Sequence, residues 1–94
     1  MSTSEKIKEF IRSKFYEIET RKYTYNSVKN ELTRKAEDIK NGGNFWIDLI
    51  YRDCVDFTKL HNEIMIMEID LSQFVHVLGD EYVAYYESLK GTGE

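Results

Sequence analysis

From Phe57 to Leu78 an apolar side chain recurs at alternating three- and four-residue intervals, at Phe57, Leu60, Ile64, Met67, Leu71, Phe74 and Leu78. An α-helix turns once every 3.6 residues, so this spacing lays all seven along one stripe, whereas a strand would scatter them over both faces of a sheet. The stretch "HNEIMIMEIDL" at 61–71 also reads with period two, placing Met65, Met67, Ile69 and Leu71 opposite Glu68 and Asp70, but that alternation covers only a short window. The spacing therefore predicts a helix. Extended both ways, Ile50, Phe57, Ile64, Leu71, Leu78 and Tyr85 share one heptad position, and Trp46, Asp53, Leu60, Met67, Phe74 and Glu81 lie four residues before them; ten of these twelve are apolar.

Such a helix needs cover. Ile64, Met65, Ile66, Met67, Ile69 and Leu71 point in nearly every direction around its axis, and a helix apolar all round must be buried all round. A chain of 94 residues buries only about 60–65% of the surface its unfolded form exposes, so its own core is thin. We therefore expect a second copy of the chain, or another protein, to cover part of this helix. The residues expected at that interface are Trp46, Ile50, Phe57, Leu60, Ile64, Met67, Leu71, Phe74 and Leu78. Met65 and Met67 would keep the surface adaptable.

The remainder of the chain is also free of strong helix breakers. It contains no proline, and its glycines stand at 42, 43, 79, 91 and 93. Ser4, placed ahead of Glu5, suits an N-cap, and Ile7, Phe10, Ile11, Phe15 and Ile18 follow at helical spacing, predicting a helix over about 4–22. In "TRKYTYNS", Thr20 and Thr24 are β-branched and Asn26 and Ser27 are capping types, which predicts a bend or turn at 20–26. Val28, Leu32, Ala36 and Ile39 resume the pattern over 26–40, and "NGGN" ends it with a glycine suited to the left-handed conformation. Asn44 caps the next start. A break at Asp70 divides the remainder into helices of about 45–69 and 71–90, with Gly79 a second candidate break, and "GTGE" is expected to be a disordered tail over 91–94.

The predicted fold class is therefore all-α, a single helical domain of three to four helices in which a long, interrupted third helix forms the spine and the molecule is oligomeric. One rival is an α+β fold, since "FVHVLGDEYVAYY" reads as two alternating runs joined by Gly-Asp, giving a C-terminal hairpin at about 74–86. Asp80 and Glu81 at a helix start, and Tyr82, Tyr85, Tyr86 and Leu89 at helical spacing, oppose it.

No apolar run approaches the ~18 residues of a membrane span, and "MSTSEKIKEF" lacks the cationic-then-apolar pattern of a signal peptide. These features predict a soluble cytoplasmic protein with no membrane association. Abundant Lys, Ile, Asn, Tyr and Phe, with scarce Ala and Arg, is the bias that AT-rich codons produce, which points to a low-GC microbe, its phage or its plasmids. Cys54 is the sole cysteine, and its place in an apolar run predicts a small buried thiol.

Enzymatic and cofactor signatures are scarce, and the expectation is a non-catalytic protein without cofactor or metal. Cys54, His61 and Glu68 share one helical stripe, but two helical turns separate neighbours by about 10.5 Å, too far for one ion. Thr58 and Gln73 precede His61 and His76 by three residues where a di-iron bundle would place Glu, and "NGGN" has no phosphate-loop spacing. His61 and His76 are expected to be partly buried and hydrogen-bonded.

Charge divides the chain. Residues 1–40 carry ten Lys/Arg against seven Asp/Glu, and residues 41–94 carry three against ten, so +3 and −7 make the net −4. Within "RKYTYNSVKNELTRK", Arg21, Lys22, Tyr23, Tyr25 and Lys29 combine cations for phosphates with rings for bases, a candidate nucleic-acid contact. The helix-turn-helix spacing that follows fails, because "FWIDLIYRD" is apolar and acidic where a recognition helix is cationic. Nucleic acid is thus the lesser alternative, and a solvated basic face is favoured.

Asp56, Glu63 and Asp70 recur every seven residues beside the apolar stripe, as an acidic stripe facing a partner. In a parallel two-stranded zipper they would meet His61, Glu68 and Val75, none a cation at neutral pH, so that pairing is disfavoured. The function read from the sequence is a small protein-interaction protein, phage- or mobile-element-encoded, which self-associates and regulates or inhibits a protein target. Its alternatives are a nucleic-acid-associated factor using 21–40 and a structural subunit of a larger complex.

Overall fold

The computed structural model describes residues 2–43 and 47–91, and these are all-α, with three helices and no strand among the described residues. Helix α1 spans Thr3–Lys40, α2 spans Ile47–Leu78 and α3 spans Asp80–Gly91. Both runs of the alternative hairpin are helical, Phe74–Leu78 within α2 and Glu81–Tyr85 within α3.

Several expected boundaries are corrected. The N-cap of α1 is Ser2, whose Oγ accepts the Glu5 N–H at 3.2 Å, while Ser4 lies inside the helix. There is no turn at 20–26, and α1 runs through it. Thr, Asn and Ser in a helix interior disfavour helix by only a few tenths of a kcal/mol each relative to the best formers, and with no Gly or Pro present, packing against α2 outweighs them. The Thr20 hydroxyl joins the helix by donating to the Tyr16 carbonyl at 2.9 Å. Likewise α2 does not break at Asp70 but continues to Leu78. The break falls at Gly79, whose φ of +117° L side chains rarely adopt. Gly91, expected in the tail, is the last residue of α3. The expected cap Asn44, the interface residue Trp46 and tail positions 92–94 lie outside the described residues.

The chain divides into two compact units, the first formed by Met1–Thr20 with Met65–Glu94, the second by Arg21–Ile64. In the first unit three helical segments surround a core of Ile11, Phe15, Ile18, Leu71, Val75, Tyr86 and Leu89, with Ile11 and Val75 fully buried. Phe15 meets Tyr86 edge to face at 6.3 Å, and Lys8 pairs with Glu81 at 3.3 Å, which holds α3 against the start of α1. The Gly79 carbonyl accepts N–H groups from Tyr82 and Val83, which starts α3 directly after the turn.

In the second unit two antiparallel segments pack on each other, with Leu32 and Ile64 its buried hydrophobic side chains among the described residues. Tyr25 and Phe57 stack, Arg21 pairs with Glu63, and Lys35 approaches Asp53 at 3.8 Å. After Lys40, Gly42 takes a φ of +85° and its N–H reaches the Ile39 carbonyl, the left-handed helix end expected of "NGGN". The Gly43 N–H bonds to the Asp38 carbonyl, so close that a Cβ at 43 would stand 2.7 Å from that oxygen.

Candidate functional site

The stripe expected to face a partner is largely turned inward, onto the chain's own first helix. Ile64 and Leu71 are buried, and Ile50, Phe57, Leu60, Met67 and Leu78 are half-buried. Phe57 covers Tyr25, and Phe74 meets Phe10 edge to face with ring centroids 5.5 Å apart. The periodicity marked a packed face that helices of the same chain cover in part, with Phe74 still 38% exposed.

A different face of α2 lies open. In the first unit Ile66 is 58% exposed, Ile69 56% and Val77 83%, with Met65 beside them. Ile66 stands about 140° around the helix from Leu71, and Val77 about 160° from Val75, so these residues project from the side opposite the core. In the second unit Ile47, Leu49, Tyr51 and Val55 are likewise exposed.

A groove forms on one shoulder of the first unit. Phe10, Lys14 and Ile18, four residues apart on α1, face Met67, Asp70, Leu71 and Phe74 on α2 around a space of about 330 Å³. The two phenylalanines form its aromatic end. Lys14 sits 3.4 Å from Glu17 and 5.6 Å from the Phe10 ring centroid, so its charge is engaged within α1. Asp70 is exposed and has no ion pair or hydrogen bond among the described residues.

The other two members of the acidic stripe fall in the second unit. Glu63 is taken by Arg21, and Asp56 lines a space of about 460 Å³ with Val28, Leu32, Phe57 and Leu60. The rim of that space is internally neutralised in part, through Lys35 with Asp53 and Glu31. Arg34, donating to Glu31 at 2.7 Å, holds the Glu31 carboxyl below the ordinary carboxylate range, and the positive fields of Arg34 and Lys35 act in the same direction.

The basic aromatic segment is partly consumed by the fold. Arg21 binds Glu63, Lys22 is half-buried with a partner of its own, and Tyr25 lies against Phe57 with His61 5.4 Å away. Tyr23 and Lys29 remain on the surface.

No known family model matches this chain, and no curated protein or solved structure is detectably similar to it. The assignment of function therefore rests on these side chains. Among the described residues no group of three or more His, Cys, Asp or Glu could hold a metal ion, and no helix is long and apolar enough to cross a membrane. Cys54 is exposed, not buried, because it lies on the flank of α2, about 60° around the helix from Phe57 and about 120° from Leu60. His61 and His76 are also exposed; Nδ1 of His76 lies 2.9 Å from the Ser72 carbonyl oxygen, the local bond expected of it, and His61 edges the Tyr25 ring.

The Phe10–Phe74 groove is not legible in sequence, and of the outer face of α2 the sequence marked Ile66 and Ile69 as apolar positions needing cover without assigning them to the interface. The available signal was Ile66, Ile69 and Val77 at helical spacing outside the main stripe.

Proposed function

We propose that this chain is a small, non-catalytic protein-interaction protein that self-associates and regulates or inhibits a protein target. The observation carrying this reading is the exposed outer face of α2, Ile66, Ile69 and Val77, on the side opposite the packed core. A helix apolar on two opposite sides requires cover on both, and α1 supplies it on one. Isolated apolar residues on a surface are ordinary; a line of them at helical spacing on a small chain is an association surface. The sequence expectation of an oligomer is kept, and its contact moves from the heptad stripe to this outer face.

The test is sedimentation velocity on the double variant Ile69→Ser, Val77→Ser, with helical content checked by circular dichroism. Both side chains are solvent-exposed, so the helices persist while the sedimenting mass falls below that of the parent. Equal masses for folded parent and variant would remove this face from the proposal.

A further inference from the structure

We propose that the groove between Phe10 and Phe74 receives a cationic amphipathic helix of the protein target, an apolar anchor entering the groove and a Lys or Arg pairing with Asp70. This rests on the interaction reading above and names the partner's chemistry.

The first support is charge complementarity. Between Lys59 and Lys90 the chain has no Lys or Arg and six acids, Glu63, Glu68, Asp70, Asp80, Glu81 and Glu87. The fold engages most of them. Glu81 meets Lys8, Glu87 meets Lys90, Glu63 meets Arg21, Glu68 has a partner, and Asp80 sits in the first turn of α3 where a helix favours an acid. Asp70 stands mid-helix without such a partner among the described residues, on the wall of the apolar groove. The α2 face of a second copy would bring the same acidic stretch to this wall, whereas a cationic helix answers it.

The second support is shape. From Phe10 to Ile18 the α1 wall rises about 12 Å, slightly more than two helical turns, which seats two successive anchors of a docked helix. Phe10 is 49% exposed and offers an aromatic contact of the kind that dominates binding energy at interfaces. Met67 on the floor gives the groove latitude to accept anchors of different shape. Since Glu17 already engages Lys14, the cation of the partner belongs on the α2 side, which sets the orientation of the docked helix.

The experiment uses a fluorescein-labelled model helix with leucine at i, i+3, i+4 and i+7 and flanking lysines, titrated by fluorescence anisotropy against the full chain beside an otherwise identical glutamate-flanked helix. The lysine helix binds the more tightly. Asp70→Asn weakens it by about two- to fivefold, the range of an exposed ion pair. Phe10→Ala weakens it by about tenfold, as loss of an aromatic anchor does. Asp70→Lys transfers the preference to the glutamate helix, and Asp56→Asn leaves the binding unchanged. Equal binding of the two helices overturns the proposal. If the lysine helix binds every folded groove variant like the parent, the groove is wrong while the interaction reading stands. If Asp70→Lys changes the self-associated mass and not peptide binding, the occupant is a second copy and the proposal fails. If neither helix binds and the chain is a monomer, both readings fail.

Discussion

The ring of Tyr25 lies nearly flat on that of Phe57, centroids 4.4 Å apart and planes 15° from parallel. The contact joins α1 to α2 in a unit whose buried hydrophobic side chains, among the described residues, are Leu32 and Ile64, so the aromatic pair adds to a small core. Coupling between the two rings is expected at about 0.5–1.5 kcal/mol in a double-mutant cycle of Tyr25→Leu and Phe57→Leu. Urea denaturation reads it as a midpoint shift at constant slope. Strictly additive single effects would show that the stacking contributes nothing beyond buried area.

Gly79 separates α2 from α3 with a backbone conformation that L side chains rarely adopt, although a Cβ there would have no atom within 4 Å. The effect of Gly79→Ala is therefore strain without collision, a loss of about 1–3 kcal/mol. Gly91→Ala, also in open space but without positive φ, changes stability by less than about 0.5 kcal/mol. Thermal unfolding of the two variants side by side separates backbone strain from the loss of a glycine as such.

Glu31 titrates below the ordinary carboxylate range because Arg34 donates to it. A carboxyl whose pKa is depressed in the folded state favours folding above its unfolded pKa, and that contribution is lost as pH falls through the folded value. NMR titration of the Glu31 side chain should show the lowered midpoint, and Arg34→Gln should return it toward the ordinary value. An unchanged midpoint in that variant would assign the shift elsewhere.

Nucleic acid should bind weakly and without sequence preference. The basic half carries only +3 in a chain of −4, Arg21 is committed to Glu63, and Tyr25 presents a face to Phe57. Tyr25→Ala is expected to lower stability, with little change in the affinity for single strands. Submicromolar binding at physiological salt, with log K falling by about 0.7 per phosphate against log salt on single strands, would instead support a true site.

Helical periodicity carried most of the fold in advance. Ile11, Phe15, Ile18, Ile64 and Leu71 all stand on spacings visible in sequence, and all are buried. Continuity through 20–26 was hidden because Thr24, Asn26 and Ser27 weaken a helix only slightly, while the packing that overrides them depends on a partner helix distant in sequence. The choice between Asp70 and Gly79 as breakpoint turned on backbone conformation, where glycine alone is free. Periodicity also says which residues share a face but not what covers it. For that reason Phe57 and Phe74 read as an interface between chains, while in the structure Tyr25 and Phe10 of the same chain lie against them and Met67 lines a groove with Ile18. The groove at Asp70 needed the register between α1 and α2, which no single helix encodes.

Self-association through the outer face of α2 is the central claim, and sedimentation equilibrium of the unaltered chain at micromolar concentration tests it most directly. The expected result is a mass above the 11.2 kDa of one chain, rising with concentration toward an integral multiple. A folded monomer of that mass across the whole range would contradict it.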